Sequence, residues 1–184
     1  YVAYASPLPI LATIRTSVEG GEASLDDEEY CALVAALAPH VGGVDVEIRR
    51  DGSSALIEDA HAAGALVIGS FHDFEGTPSD DQLAEVLADM NYAGADVLKF
   101  ACMAHSATDA ARVLGAQAWA REAYDRPVIG IAMGPNGAPT RLVGSALGSA
   151  ATFATLPGAE GSAPGQFTIE QARAVLDIVE GFEA

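Results

Sequence analysis

Lysine is nearly missing from this 184-residue chain: a single one, Lys99, stands against eight arginines and 26 acidic residues, for a net charge of −17. That balance argues against a nucleic acid or an anionic membrane as partner, since both demand clustered cations. Cysteine is scarce as well. Cys31 and Cys102 lie far apart in apolar surroundings without metal-ligand spacing, and both read as buried free thiols. No apolar run reaches about 18 residues and no signal peptide is visible, so a cytoplasmic address is the default expectation. Neither a Gly-x-Gly-x-x-Gly turn after the first strand nor a phosphate loop ending in Gly-Lys-Ser/Thr is present, which removes the common nucleotide-binding motifs.

Half of the residues are hydrophobic, enough for a globular chain, and residues 1–184 read as a single domain. The acids are spread over several helices, as on a solvated surface. Together with the scarcity of lysine they suggest adaptation to concentrated salt, where a Debye length of about 3 Å at ~1 M screens self-repulsion.

Short apolar runs alternate with amphipathic stretches. Strands are expected at Pro9–Arg15, Val44–Ile48, Leu66–Phe71, Asp96–Cys102, Val128–Met133 and Ala150–Leu156, with helices near 25–39, 53–63, 80–92, 107–124 and 168–182. Ser79 with Gln82 and Thr168 with Gln171 have capping-box spacing, Ser24 and Ser106 are N-cap candidates, and Gly64 and Gly94 fall where helices should stop. Val/Ile-rich strands alternating with helices imply a parallel sheet, either open and doubly wound or closed as a (β/α)8 barrel. Arg15, Glu47, His72 and Lys99 all fall at carboxyl ends of strands, which a barrel gathers in one circle, so the barrel is preferred. Parity adds a detail. With Val44, Val46 and Ile48 facing the helices, Asp45 and Glu47 point inward and need a cation, for which Arg15 is available.

Lys99 sits in Gly-Ala-Asp-Val-Leu-Lys-Phe (94–100), a buried strand, where an ammonium is costly. It either snorkels to water or serves as an amine nucleophile, a role closed to arginine. His72, at the end of the preceding strand, weighs toward chemistry. A lysine condenses with a ketone to an iminium that acidifies the α-C–H, and a histidine can take that proton near neutrality. The pair suits a Schiff-base lyase or aldolase. His40, His61 and His105 read as surface histidines, and Tyr30, Trp119 and Tyr124 as helix packing.

The motifs Ile-Arg-Thr-x-x-Glu-Gly-Gly (14–21), Val-Asp-Val-Glu (44–47), Phe-His-Asp-Phe-x-x-Thr-Pro (71–78), Ala-Asp-Val-Leu-Lys-Phe-Ala (95–101), Ile-x-Met-Gly (131–134), Thr-Arg-Leu (140–142), Gly-Ser-Ala-Ala-Thr-Phe (148–153) and Ser-Ala-Pro-Gly-Gln (162–166) follow in order. With them the chain closely resembles type I 3-dehydroquinate dehydratases of the shikimate pathway. The resemblance implies a cofactor-free and metal-free barrel that dehydrates 3-dehydroquinate to 3-dehydroshikimate. It makes Lys99 the Schiff-base lysine, His72 the general base and acid, and Glu19 the carboxylate that orients the histidine. Arg141 is implied to clamp the substrate carboxylate, a task suited to a guanidinium fork. Arg15, Ser162 and Gln166 are implied to hold substrate hydroxyls and carboxylate, the last two on a closing loop, and Met133 and Phe153 to form apolar walls. The family is often dimeric, so the implied partners are the substrate and a second copy of the chain.

The match begins at the family's third strand, and six strands are counted where a barrel needs eight and typically about 250 residues. The expectation is therefore that this chain holds strands three to eight, the first two strand–helix units being absent from it. Two other readings stay open: a truncated or inactive homologue that binds without turnover, and a class I aldolase, which shares the lysine but gives no reason for Ser-Ala-Pro-Gly-Gln.

Overall fold

The Val/Ile-rich runs form strands because their branched side chains fill both faces of a covered parallel sheet. In the computed structural model, which describes residues 6–159, 161 and 163–181, the chain forms two compact units: Tyr1–His72 with Glu85–Lys99, and Asp73–Ala84 with Phe100–Ala184. The fold is α/β with a parallel sheet.

In the first unit strands run in the order β1 (Leu11–Thr13), β2 (Gly43–Glu47), β3 (Leu66–Asp73) and the beginning of β4 (Val97–Met103). Thr13 lies opposite Asp45, and Glu47 opposite Ser70. Helices α1 (Asp27–Leu37), α2 (Ser53–Ala62) and the latter part of α3 (Asp80–Tyr92) bury Tyr30, Val34, Leu56, Ile57, Leu87 and Met90 with Val44, Val46 and Val67. Gly69 is required here: a Cβ on it would stand 2.9 Å from that of Ala95 and 3.3 Å from Met90 Cγ. Helix α1 starts at Asp26, which makes a capping box with Glu29, and not at Ser24 as expected. Asp26 supplies the same oxygen acceptor and has Glu29 at the reciprocal position, which Ser24 lacks. The stops at Gly64 and Gly94 are as expected, each at φ 87°.

In the second unit the end of β4 lies beside β5 (Val128–Met133), packed by α4 (Ala107–Ala123). The fully buried Gln117 of α4 accepts from Gly130 N–H at 3.0 Å and donates to the carbonyls of Gly144 and Leu147 at 3.0 and 3.1 Å, anchoring the Gly/Pro-rich stretch after β5. That stretch folds as short helical turns, among them Thr140–Val143. Ser106 caps α4, and Thr168 opens α5 (Ile169–Glu180) with a capping box to Gln171, both as expected.

Ala150–Leu156, expected as a sixth strand, makes a single isolated bridge among the described residues, Thr155 with Thr168, while Ser149 just before it bridges Val128. The run meets β5 at one point, where Ala150 N–H donates to Val128 O at 2.8 Å, then turns to pair Thr155 with Phe167. A cavity of ≈180 Å³ is lined by Ile131 of β5 and by Ala151 and Thr152, so the ladder does not continue. Among the described residues no helix is long and apolar enough to cross a membrane.

Candidate active site

Strands β2 to β4 place Asp45, Glu47, Ser70, His72 and Lys99 in the first unit with Arg15 and Glu19 from beyond β1, and parity turns the strand residues to one face; Lys99 is the third residue of β4, not at its carboxyl end as expected. Beyond β1 the chain makes a tight turn: Gly21 N–H donates to Thr16 O at 2.8 Å and Ser17 N–H to Ala23 O at 2.8 Å. Both glycines of the motif are needed. Gly20 sits at φ 81°, and a Cβ on Gly21 would fall 2.1 Å from Arg15 O. The turn folds Glu19 back onto Arg15.

Lys99 Nζ lies 2.9 Å from His72 Nε2, and His72 Nδ1 lies 2.8 Å from Glu19 Oε2. Lys99 Nζ also reaches Asp45 Oδ2 at 3.4 Å. Arg15 binds the acids around them. Its Nη1 donates to Glu19 at 3.1 Å, Glu47 at 3.0 Å and Ser70 Oγ at 3.1 Å, and its Nη2 to Asp45 Oδ1 at 2.6 Å. Ser70 Oγ in turn donates to Asp45 Oδ1 at 2.6 Å. The inward Asp45 and Glu47 and their Arg15 partner, inferred from parity, are thus observed.

Glu47 also accepts from Thr16 N–H at 2.8 Å, from Thr16 Oγ1 at 2.7 Å and from Arg50 Nε at 3.3 Å. Tyr30, read from the sequence as packing, does more. Where β1 has ended, its hydroxyl accepts from Glu47 N–H at 2.9 Å and donates to Asp45 O at 3.4 Å, taking the place of a strand partner. Periodicity finds the buried ring, but nothing in the sequence tells what its hydroxyl touches.

The second unit holds Met133, Arg141, Phe153 and Gln166, and Ser162 lies outside the described residues. Met133 closes β5 fully buried, while Phe153 and Gln166 are half-buried. Arg141 is 4% exposed, donates from Nη2 to Pro164 O at 3.2 Å, and among the described residues has no hydrogen-bond partner for its buried Nε and Nη1. Two unsatisfied guanidinium N–H positions in an interior are costly, and an anionic fork would satisfy them. The loop carrying Gln166 is tied at its base, where Thr155 N–H donates to Phe167 O at 2.8 Å and Ile169 N–H to Thr155 O at 2.9 Å. His61 pairs with Asp96 at 2.9 Å, and His105 Nε2 meets Glu75 O at 2.8 Å; both histidines are exposed, as expected.

A family model for type I 3-dehydroquinase matches residues 2–183. The chain belongs to the type I 3-dehydroquinase family. A 3-dehydroquinate dehydratase from Klebsiella pneumoniae is 42% identical over 177 residues, 94% of this chain and 70% of that protein. Among solved structures, the 3-dehydroquinate dehydratase of Geobacillus kaustophilus is 35% identical with a TM-score of 0.89, covering 96% of this chain and 69% of that one. The type I enzyme of Clostridium difficile, solved with covalently modified comenic acid, is 32% identical with a TM-score of 0.89, covering 98% of this chain and 72% of that one.

The electrostatics of this dehydroquinase site follow from burial. Burial, then the Glu47 charge, push the Glu19 carboxyl up to about 8 against the pull of Arg15. Burial, then the Lys99 and Arg15 cations, push the His72 imidazole down to about 2. Both shifts favour the uncharged forms of Glu19 and His72 in the empty site. Burial lowers the Lys99 ammonium first; Asp45 pulls it back up and Arg15 pushes it down, with a net lowering. Asp45 is below the usual carboxylate range, because Lys99, Arg15 and Ser70 together outweigh the opposing effect of burial.

Proposed function

We propose that the hydro-lyase reaction of this family, dehydration of 3-dehydroquinate to 3-dehydroshikimate in the shikimate pathway, runs here through an imine on Lys99 with His72 and Glu19 moving the protons. The observation that carries this assignment is the Glu19–His72–Lys99 chain, with contacts of 2.8 and 2.9 Å. The neutral Lys99 amine adds to the C3 ketone to give a carbinolamine. His72 Nε2–H protonates the departing hydroxyl, water leaves, and Nδ1 takes the Glu19 proton, so a Glu19 carboxylate forms as the iminium cation forms. His72 Nε2 is now free to remove the C2 proton, which the iminium has acidified. The resulting imidazolium, paired with Glu19, returns that proton to the C1 hydroxyl, which leaves as water. Hydrolysis of the conjugated iminium restores the Lys99 amine and releases the proton that, relayed through His72, returns to Glu19.

In this reading Arg141 receives the substrate carboxylate, supported by its unsatisfied Nε and Nη1. Gln166 and Ser162 hold polar substituents, and Met133 and Phe153 form apolar walls. The relatives' match across both units supports reading 1–184 as a single catalytic domain of the barrel class. Borohydride added during turnover tests the assignment. Reduction of the imine should fix the substrate skeleton on the peptide containing Lys99, the only ε-amine in the chain. An active preparation with Lys99 unmodified removes the mechanism.

The −17 charge supports a further reading, adaptation to high salt. Screening of carboxylate repulsion should raise the melting temperature by several degrees between dilute buffer and about 2 M KCl. A melting temperature that does not change with salt rejects it.

A further inference from the structure

Arg15 and Lys99 meet on one carboxylate. Asp45 Oδ1 takes Arg15 Nη2 and Ser70 Oγ, each at 2.6 Å, while Oδ2 faces Lys99 Nζ at 3.4 Å. Arg15 holds the shorter contact, and its Nη1 reaches Glu19 and Glu47 as well, so both terminal nitrogens are engaged by the protein. We infer that Arg15 is a positioning residue whose main contribution to the reaction is to engage Asp45, Glu47 and Glu19 and so keep the Lys99 amine neutral and nucleophilic.

The charges around Lys99 lead to this. It faces Asp45 from β2, His72 from β3, and Glu19 with Arg15 from the turn after β1; Glu47, also on β2, is bound by Arg15 and by Arg50, which is itself paired with Asp27 at 2.6 Å. Without Arg15, Asp45, Glu19 and Glu47 would lose the cation they share. A carboxylate released from one cation turns to the other, and an ammonium among unpaired carboxylates keeps its proton. A protonated Lys99 cannot attack a ketone. The lowered Lys99 ammonium, to which Arg15 contributes, agrees. A group whose main task was to grip substrate would instead keep its fork open, as Arg141 does with Nε and Nη1.

The inference rests on the imine reading only for its consequence in turnover, because the state of Lys99 can be read without substrate. Protein carrying [13Cε]lysine gives a single ε-carbon signal, that of Lys99. In Arg15→Gln its titration midpoint should rise by about 1–2 pH units, and imine trapping with 3-dehydroquinate, slowed at neutral pH, should recover at higher pH. Asp45→Asn should lower the midpoint, and the Arg15→Gln/Asp45→Asn double variant should return it toward that of the unsubstituted protein. Should Arg15→Gln fail to fold, the Asp45→Asn titration decides alone. An unmoved or lowered midpoint in Arg15→Gln, with KM raised equally at every pH, makes Arg15 a substrate ligand and overturns the inference. So does an Asp45→Asn midpoint that does not fall. If the midpoints move as stated while the parent protein does not turn over 3-dehydroquinate, the inference stands and the dehydratase reading fails.

Discussion

Lys99→Arg is expected to lower turnover of 3-dehydroquinate by roughly 10⁴–10⁶-fold, the scale reached when the nucleophile of a covalent mechanism is removed. The substitution places a permanent cation next to Asp45, which can pair with it, so the change adds no unpaired buried charge. Only the chemistry is deleted, since a guanidinium does not give up its proton to become a nucleophile. The larger side chain enters a site that is 7% exposed, and overpacking of this kind costs about 1–3 kcal/mol, which a melting curve will register. Because the chain has no other lysine, borohydride should add no mass at any ε-amine of the variant. Turnover within tenfold of the parent, in a variant shown by mass to lack lysine, would sink the imine mechanism.

Much of the fold could be read locally. The period-two pattern of residues 44–48 put Asp45 and Glu47 on the face opposite Val44 and Val46, and Arg15 is found between them. Such a deduction holds because parity is a property of one strand and a buried carboxylate requires a cation. Capping signals of Ser79, Ser106 and Thr168 held for the same reason, each resting on hydrogen bonds three residues long. The run 150–156 shows the limit. Its Ala-Ala-Thr-Phe-Ala-Thr composition suits an extended chain, yet a strand exists only where a neighbour supplies a ladder, and contact with β5 ends after Ala150.

The candidate site divides in the same way. Lys99, His72 and Glu19 could be picked out by chemistry and motif, and the structure brings their side chains together at 2.8 and 2.9 Å. Which partner each side chain selects was only partly legible. Arg15 stands for this: parity named it as the cation for Asp45 and Glu47, but its further contacts with Glu19 and Ser70, the latter 55 positions away, were not foreseen. The Tyr30 hydroxyl, 15 and 17 residues from the backbone groups it bridges, is hidden from sequence for the same reason.

His72→Ala should separate condensation from proton transfer. Lys99 keeps Asp45 and Arg15 around it, so its amine remains able to add to the ketone, and removal of the imidazole takes away the group at 2.9 Å that protonates the departing hydroxyl and removes the C2 proton. Turnover should fall by roughly 10²–10⁴-fold, the usual contribution of a positioned acid–base group. Imine formation should slow by less, because an amine and a ketone condense without an enzyme base, whereas removal of the C2 proton loses the group placed at 2.9 Å from Lys99, with Glu19 set one residue further back, against His72 Nδ1. The enzyme should therefore accumulate as adduct, and borohydride quenching at early times should label a larger fraction of Lys99 in the variant than in the parent. The variant also leaves Glu19, 5% exposed, without its histidine, which should cost about 1–3 kcal/mol of stability. Arg15, still 3.1 Å from Glu19, limits that loss and favours an ionised carboxylate. Near-parental turnover in His72→Ala would transfer the base role to Glu19, and a Glu19→Gln change in that background should then abolish what activity remains.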